Sequence, residues 1–188
     1  LVAKDHPYAS RSGLKLAAAL DHFGLRPADW ICADLGCNVG GFVDCLLSRG
    51  AAKVYAVDTG YGALEYRLRK DSRVVVMERT NAMHVQLPEP VDLVTIDVGW
   101  TRQNRILPNA CRMLKPDGRI ITLIKPHYEA QRKQIHRGVL PPEQAHELLA
   151  EVQKQIENCG LKVDEVMESP ITGQKGNLEF LALLQLRA

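Results

Sequence analysis

Ile31-Cys-Ala-Asp-Leu-Gly-Cys-Asn-Val-Gly-Gly-Phe-Val-Asp-Cys-Leu-Leu47 is the stretch on which the fold turns. Residues 31–35 read as a buried strand, Gly36, Gly40 and Gly41 mark a tight turn, and residues 42–47 begin a helix that stops near Gly50. The glycines let backbone pass close to a ligand, and the start of the following helix offers N–H groups that lack an internal partner. A dinucleotide fingerprint would place glycine at position 38, where this chain has Asn38, which disfavours a pyrophosphate. A nucleoside with an amino-acid tail suits the turn better. Its carboxylate can use the backbone amides, with Asp34, Gly36, Cys37, Asn38, Gly40, Gly41 and Phe42 as the candidate cofactor-binding residues of this segment, and its ribose hydroxyls can bond to a carboxylate after the second strand. Asp58, followed by Thr59, stands near the 20-residue spacing expected for that contact.

The alternation of strand and helix continues on both sides. Leu14, Ala17, Ala18 and Leu20, stopped by Gly24 and Pro27, predict a leading helix with Lys15 on its first turn. Strands are expected over 53–57, 74–77, 91–96 and 120–124, separated by helices over 61–69 and 102–114, with Lys115-Pro-Asp-Gly118 closing the second. Asn81 and Ala82, just past the third strand, are placed to meet an adenine. The strongest helix follows Pro141 and Pro142, with Ala145, Leu148, Leu149, Val152, Ile156 and Cys159 on one apolar face and Gly160 at its end. Strands over 161–167 and 178–186, joined by a turn around 171–176, should form a hairpin.

Such alternation predicts a single α/β domain over 1–188, a doubly wound, mostly parallel seven-stranded Rossmann-like sheet with an antiparallel last strand. Sheets of this kind bind ligands beyond the carboxyl ends of their strands. Asp34, Asp58, Asp97 and Lys125 all fall at such ends. Two ammonium groups and two carboxylates, Lys15, Asp97, Lys125 and Glu179, thus occur where segments of buried character terminate, although a desolvated charge costs free energy unless paired. That pattern points to chemistry rather than packing.

Composition narrows the classes. At 188 residues, 46% hydrophobic and 24% charged, the chain can bury a sizeable core. Its five cysteines show no CxxC or Cys/His spacing suited to zinc, which favours a reduced, metal-free, cytoplasmic protein. No apolar run approaches the roughly 20 residues needed to cross a bilayer, and His6, Lys4 and Asp5 replace a signal-peptide core. A net charge of +2 does not by itself indicate nucleic acid, so an RNA partner must rest on local patches such as Arg132, Lys133, His136 and Arg137.

Several motifs carry a resemblance. Tyr8-Ala-Ser-Arg-Ser-Gly-Leu-Lys-Leu16, Gly40-Gly-Phe-Val-Asp-Cys-Leu-Leu47, Val54-Tyr-Ala-Val-Asp-Thr-Gly-Tyr-Gly62, Glu78-Arg-Thr-Asn81, Ile124-Lys-Pro-His-Tyr-Glu129 and Gly176-Asn-Leu-Glu-Phe180 resemble the FtsJ-like methyltransferase domain of TlyA-type proteins, known as haemolysins or ribosomal RNA methyltransferases. The resemblance implies S-adenosyl-L-methionine as cofactor, held by the turn residues together with Asp58, Thr59, Asn81, Ala82 and Asp97. It also implies RNA, ribosomal in particular, as partner, and ribose 2′-O-methylation through a Lys-Asp-Lys-Glu tetrad that falls on Lys15, Asp97, Lys125 and Glu179. A ribose hydroxyl is a poor nucleophile, so a base must take its proton, and Lys125 is the candidate. A lysine is a base only as the neutral amine, a form that the second cation Lys15 favours and the two carboxylates oppose. Lys15 is a candidate to hold the 2′-oxygen or a phosphate, and Glu179 to position either lysine. No metal is needed, since the cofactor supplies the electrophile.

Two departures stand out. After Asp97 the family usually continues Ser-Phe, whereas this chain reads Val98-Gly-Trp-Thr-Arg102, which alters the loop that shapes the substrate site. The family also usually carries a small N-terminal RNA-binding domain, and nothing before Lys4 supplies one, while the first residue is Leu1 rather than methionine. Either the chain is a fragment of a longer protein or it finds its substrate by another route, such as the basic loop at Arg132 to Arg137. Tyr8, Tyr61, Trp100 and Tyr128 lie in or beside the motif loops and are candidates to stack on adenine or on a target base. The competing readings are a haemolysin-like or RNA-binding protein without methyltransferase activity, and a methyltransferase acting on a small molecule or protein.

Overall fold

In the computed structural model, which describes residues 6–187, Ile31–Leu35 forms β1 of a seven-stranded sheet. The other strands are β2 (Lys53–Val57), β3 (Val74–Met77), β4 (Val91–Ile96), β5 (Leu114–Ile124), β6 (Leu161–Glu168) and β7 (Phe180–Leu186), in the spatial order β3-β2-β1-β4-β5-β7-β6. Leu1, Lys4 and Asp5, and the side chains of Arg132 and Gln174, lie outside the described residues. All neighbours from β3 to β5 run parallel, and β7 is antiparallel to both β5 and β6. The order reverses between β1 and β4, so the crevice at a switch point opens above Leu35 and Ile96.

The hairpin inserts β7, not β6, next to β5. Phe180, Leu181, Ala182, Leu183 and Leu184 are a continuous apolar run and are all buried, as a strand covered on both faces requires. Charged residues break the pattern of β6, which takes the edge. Helices cover both faces. α1 (Ser12–His22), α2 (Gly41–Ser48) and α3 (Tyr66–Lys70) pack Leu16, Leu20, Phe42, Leu46 and Leu68 against one side of the sheet. α4 (Gln103–Met113) and α6 (Pro142–Glu157) pack Ile106, Leu107, Val152 and Ile156 against the other. A one-turn helix, α5 (Pro126–Glu129), follows β5 directly.

Two local expectations are corrected. The helix expected over 61–69 is confined to Tyr66–Lys70, because Gly62 takes φ 74° and Glu65 is extended; the Glu78 carboxylate accepts the Gly62 N–H and holds the preceding loop open. β5 begins at Leu114 rather than 120, pairing Leu114 with Val91 before a register shift that accommodates Pro116-Asp-Gly118.

Buried polar contacts fix the pieces that carry the site. The Asp44 carboxylate accepts the Ala9 N–H at 2.7 Å and a guanidinium N–H of Arg67 at 2.9 Å, tying the approach to α1 onto α2. At the end of β5, Thr122 donates to the Gln103 side chain, Gln103 donates to the Leu123 carbonyl, and Glu129 accepts the Gln103 N–H. The start of α4 and α5 are thereby locked around Lys125.

Candidate active site

The first turn is built by its partners on β2 and β4. Gly36 and Cys37 both donate to the Val57 carbonyl, Asn38 donates to Asp58 Oδ2 at 2.8 Å, and Gly40 donates back to Cys37. Gly36 takes φ 87°, and a Cβ there would lie 2.6 Å from the Asp97 carbonyl oxygen, so only glycine lets β1 turn this close to β4. The amides of Gly36, Cys37, Asn38 and Gly40 are therefore engaged by partners in and beside the turn. The first helical bond of α2 runs from Asp44 N–H to the Gly40 carbonyl, leaving the amides of Gly41, Phe42 and Val43 as the open donors.

A groove runs along the carboxyl ends of β3, β2, β1, β4 and β5 in three joined stretches, with Asp97 lining all of them. The outer stretch, about 320 Å³, is bordered by Asp58, Thr59, Asn81, Ala82, Met83 and Trp100. The middle stretch, about 370 Å³, takes in Asp34, Gly36, Cys37, Asn38, Phe42 and Lys125. The inner stretch, about 270 Å³, is lined by Lys15, Lys125, Glu179, His127, Tyr128 and Thr172. Gly40 and Gly41 border none of the three. Gly40 faces Leu64 and Leu68, and Gly41 packs on Ser10 and Ser12, whose hydroxyl oxygens would lie 2.3 and 2.1 Å from an added Cβ. Both glycines permit close packing and stand behind the groove.

The four charged residues meet as two ion pairs in the inner stretch. Lys125 Nζ is 2.6 Å from Asp97 Oδ1 and donates to the Val98 carbonyl at 3.2 Å, and the Lys15 ammonium donates to the Glu179 carboxylate. These side chains are 15%, 20%, 11% and 4% exposed in the order Lys125, Asp97, Lys15, Glu179, so both pairs are desolvated yet open to one cavity. Gly173 carries the loop before β7 over Glu179 so closely that a Cβ would overlap the carboxylate.

Asp34 is wholly buried. Its Oδ1 accepts the Thr95 hydroxyl, its Oδ2 has no partner, and burial pushes its acid up to about 8, with Asp97 and Asp58 adding to the rise and the Thr95 hydrogen bond opposing it. Asp58 accepts the N–H groups of Asn38 and Gly60, and a carboxylate retains lone pairs for further donors. The Asn81 side chain turns back to accept the Met83 N–H. Burial, helped by the charges of Lys125 and Lys15, lowers the His127 imidazole to about 4, and its Nδ1 is buried without a partner. Trp100 is 86% exposed with φ 60°, its ring centroid 4.7 Å from that of Tyr128. Sequence reasoning missed Ser10, Ser12, His127 and Thr172 as lining residues. The first three sit inside quoted motifs, whereas Thr172 enters only because its loop folds over Glu179.

The sheet order, with its inserted antiparallel β7, and the groove at the β1/β4 switch point define a Rossmann-like methyltransferase fold. Solved structures sharing it at under 25% identity include S-adenosylmethionine-dependent methyltransferases, one of them in complex with S-adenosyl-L-homocysteine. The family follows from closer comparisons. A family described as FtsJ-like methyltransferase matches residues 8–186, and the chain belongs to it. Hemolysin A of Brachyspira hyodysenteriae is 37% identical over 187 residues, covering 96% of this chain and 78% of that protein. The 16S/23S rRNA (cytidine-2′-O)-methyltransferase TlyA of Mycobacterium tuberculosis is 37% identical over 188 residues, covering 96% of this chain and 69% of its own. A structure from Streptococcus thermophilus that carries the hemolysin name superposes with a TM-score of 0.94 at 37% identity, covering 98% of this chain and 69% of that one.

Proposed function

We propose that this methyltransferase moves a methyl group from S-adenosylmethionine to a ribose 2′-hydroxyl of RNA, with ribosomal RNA as the substrate. The observation that carries the reading is the pairing of Lys125 with Asp97 and of Lys15 with Glu179 in one cavity, joined through Asp97 to the groove above the first turn. The names of relatives, TlyA among them, support the choice of reaction and substrate.

The groove fits the cofactor. The orphaned Asp34 Oδ2 in the middle stretch suits an ammonium, the open amide of Phe42 in the same stretch suits a carboxylate, and Asp58 in the outer stretch suits ribose hydroxyls. Ala82, Met83 and Ile106 offer an apolar surface for a purine. The cofactor supplies an electrophilic methyl group. Lys125, held by Asp97 and the Val98 carbonyl, takes the proton from the attacking hydroxyl. Lys15, fixed by Glu179, stabilises charge developing on the 2′-oxygen. Trp100 and Tyr128 form an exposed aromatic ledge at the mouth, suited to stacking on the target base. Action on ribosomal RNA places the protein in the cytoplasm.

Among the described residues no helix is long and apolar enough to cross a membrane, and the apolar face of α6 is spent on the core.

Transfer of labelled methyl groups to ribosomal RNA and ribosomal subunits tests the proposal. Label should enter ribose with the wild-type chain and not with Lys125→Ala, while calorimetry shows both proteins binding S-adenosylmethionine. Absence of cofactor binding by the wild-type chain would overturn it.

A further inference from the structure

We infer that two loops beside the catalytic cavity form a cationic platform, free of carboxylates, that receives the sugar-phosphate backbone of the RNA; the inference rests on the RNA methyltransferase reading above. Residues 130–140 follow Lys125 and α5, and residues 169–178 lead into Glu179. In the first loop, His136 and Val139 exchange both backbone hydrogen bonds at 2.9 Å, while Arg137 and Gly138 take φ 51° and 85°. This is a tight two-residue turn whose first central position ordinarily holds asparagine, aspartate or glycine. Here the strained position holds Arg137, exposed at the tip. The second loop turns through Lys175 and Gly176, at φ 59° and 82°, and Lys175 Nζ reaches the Arg137 carbonyl at 3.5 Å.

Asn177, 2% exposed, holds the two loops together. Its side-chain oxygen accepts the Leu140 N–H at 3.0 Å and its amide donates to the Gly138 carbonyl at 2.9 Å. The platform is thus attached to the strand that begins just after Glu179, and Thr172 and Gly173 of the same loop line the catalytic cavity.

The charge pattern names the partner. Arg132, Lys133 and Arg137 lie in one loop and Lys175 in the other, and neither loop contains Asp or Glu, although the chain as a whole carries only +2. Several surface cations elsewhere are matched, as in Arg49 with Asp21, Arg73 with Asp71 and Lys115 with Asp92. Among the described residues, Lys133, Arg137 and Lys175 have no carboxylate partner. Clustered, unmatched cations repel one another until a polyanion meets them, and a chain of phosphates spaced along a backbone does so with release of its counterions. The cavity next to the platform handles one nucleotide, so the loops take the phosphates that flank it.

The test compares the full chain with a Lys133→Ala/Arg137→Ala/Lys175→Ala variant and with a control, Arg26→Ala/Lys70→Ala/Lys154→Ala, that removes equal charge elsewhere. Binding to total ribosomal RNA is measured across a salt series, together with KM, kcat and cofactor affinity. The platform variant should lower the slope of log K against log salt by about 2 to 3, at roughly 0.7–0.9 per phosphate contact, and raise the KM for RNA. Its kcat at saturating RNA and its cofactor affinity should match wild type, and the control should keep the wild-type slope. A wild-type slope in the platform variant, or equal loss in both variants, overturns the platform while leaving the reaction intact. Wild-type protein that neither binds nor methylates RNA overturns the functional reading and the platform with it.

Discussion

Lys15 and Glu179 are separated by 164 residues in the chain and meet in an ion pair whose side chains are 11% and 4% exposed. One comes from the first turn of α1 on one face of the sheet, the other from the residue just ahead of β7. Breaking such a pair strands a charge in a desolvated place, whereas replacing both partners does not. Glu179→Ala should therefore cost about 3–5 kcal/mol by denaturant unfolding. The double variant Lys15→Met/Glu179→Leu should recover wild-type stability yet transfer no methyl group. Recovery of activity along with stability would show the pair to be structural only.

Lys125→Arg separates charge from proton transfer. Arginine keeps the cation beside Asp97 but stays protonated, so it cannot act as a base. Methyl transfer should fall by about 10²-fold or more, the usual scale of general-base contributions, with cofactor binding retained. A variant within tenfold of wild type would remove Lys125 from the role of base.

Asp34 makes stability pH-dependent with a definite sign. Its folded acid, near 8, lies above the ordinary value of 3.8, so between those values the folded protein holds a proton that the unfolded chain releases. The stabilising share of Asp34 is complete below the unfolded value and is lost as pH rises toward 8. Urea midpoints of wild type should fall relative to Asp34→Asn on going from about pH 5 to about pH 8. A difference that stays constant over this window would show that Asp34 is ionised throughout.

Gly36→Ala should destabilise the protein by about 1–3 kcal/mol, because it combines a left-handed backbone with a Cβ 2.6 Å from the Asp97 carbonyl oxygen. Relief of the clash moves Asp97, so methyl transfer should drop further than the stability loss explains. Thermal melts and initial rates on the same preparation check both parts, and unchanged rates in the folded variant would detach Asp97 from the reaction.

Local pattern carried most of the fold. The bounds of β1 to β4 follow directly from short apolar runs with turn residues at their ends, and the apolar face of α6 from its 3.6-residue period. The helix after β2 came out shorter because Gly62 and the Glu78 carboxylate favour an open loop over a first helical turn, and the Glu78 contact lies 16 residues away. The insertion of β7 beside β5 was legible in the contrast between Phe180-Leu-Ala-Leu-Leu184 and the charge-broken β6, since burial on both faces selects continuous apolar strands.

The amino-acid sequence by itself determined a doubly wound α/β domain, the glycine turn, and the placement of Asp34, Asp58, Asp97 and Lys125 at strand ends, because all of these depend on residues close in the chain. Only the tertiary structure decided which ammonium faces which carboxylate, that Gly40 and Gly41 stand behind the groove, that the turn amides are already engaged, and that Asn177 joins two basic loops beside the cavity. The reason is physical. Local propensities act over a few residues, whereas these pairings depend on sheet order and on the packing of helices against opposite faces, through contacts that close only when the whole core has formed.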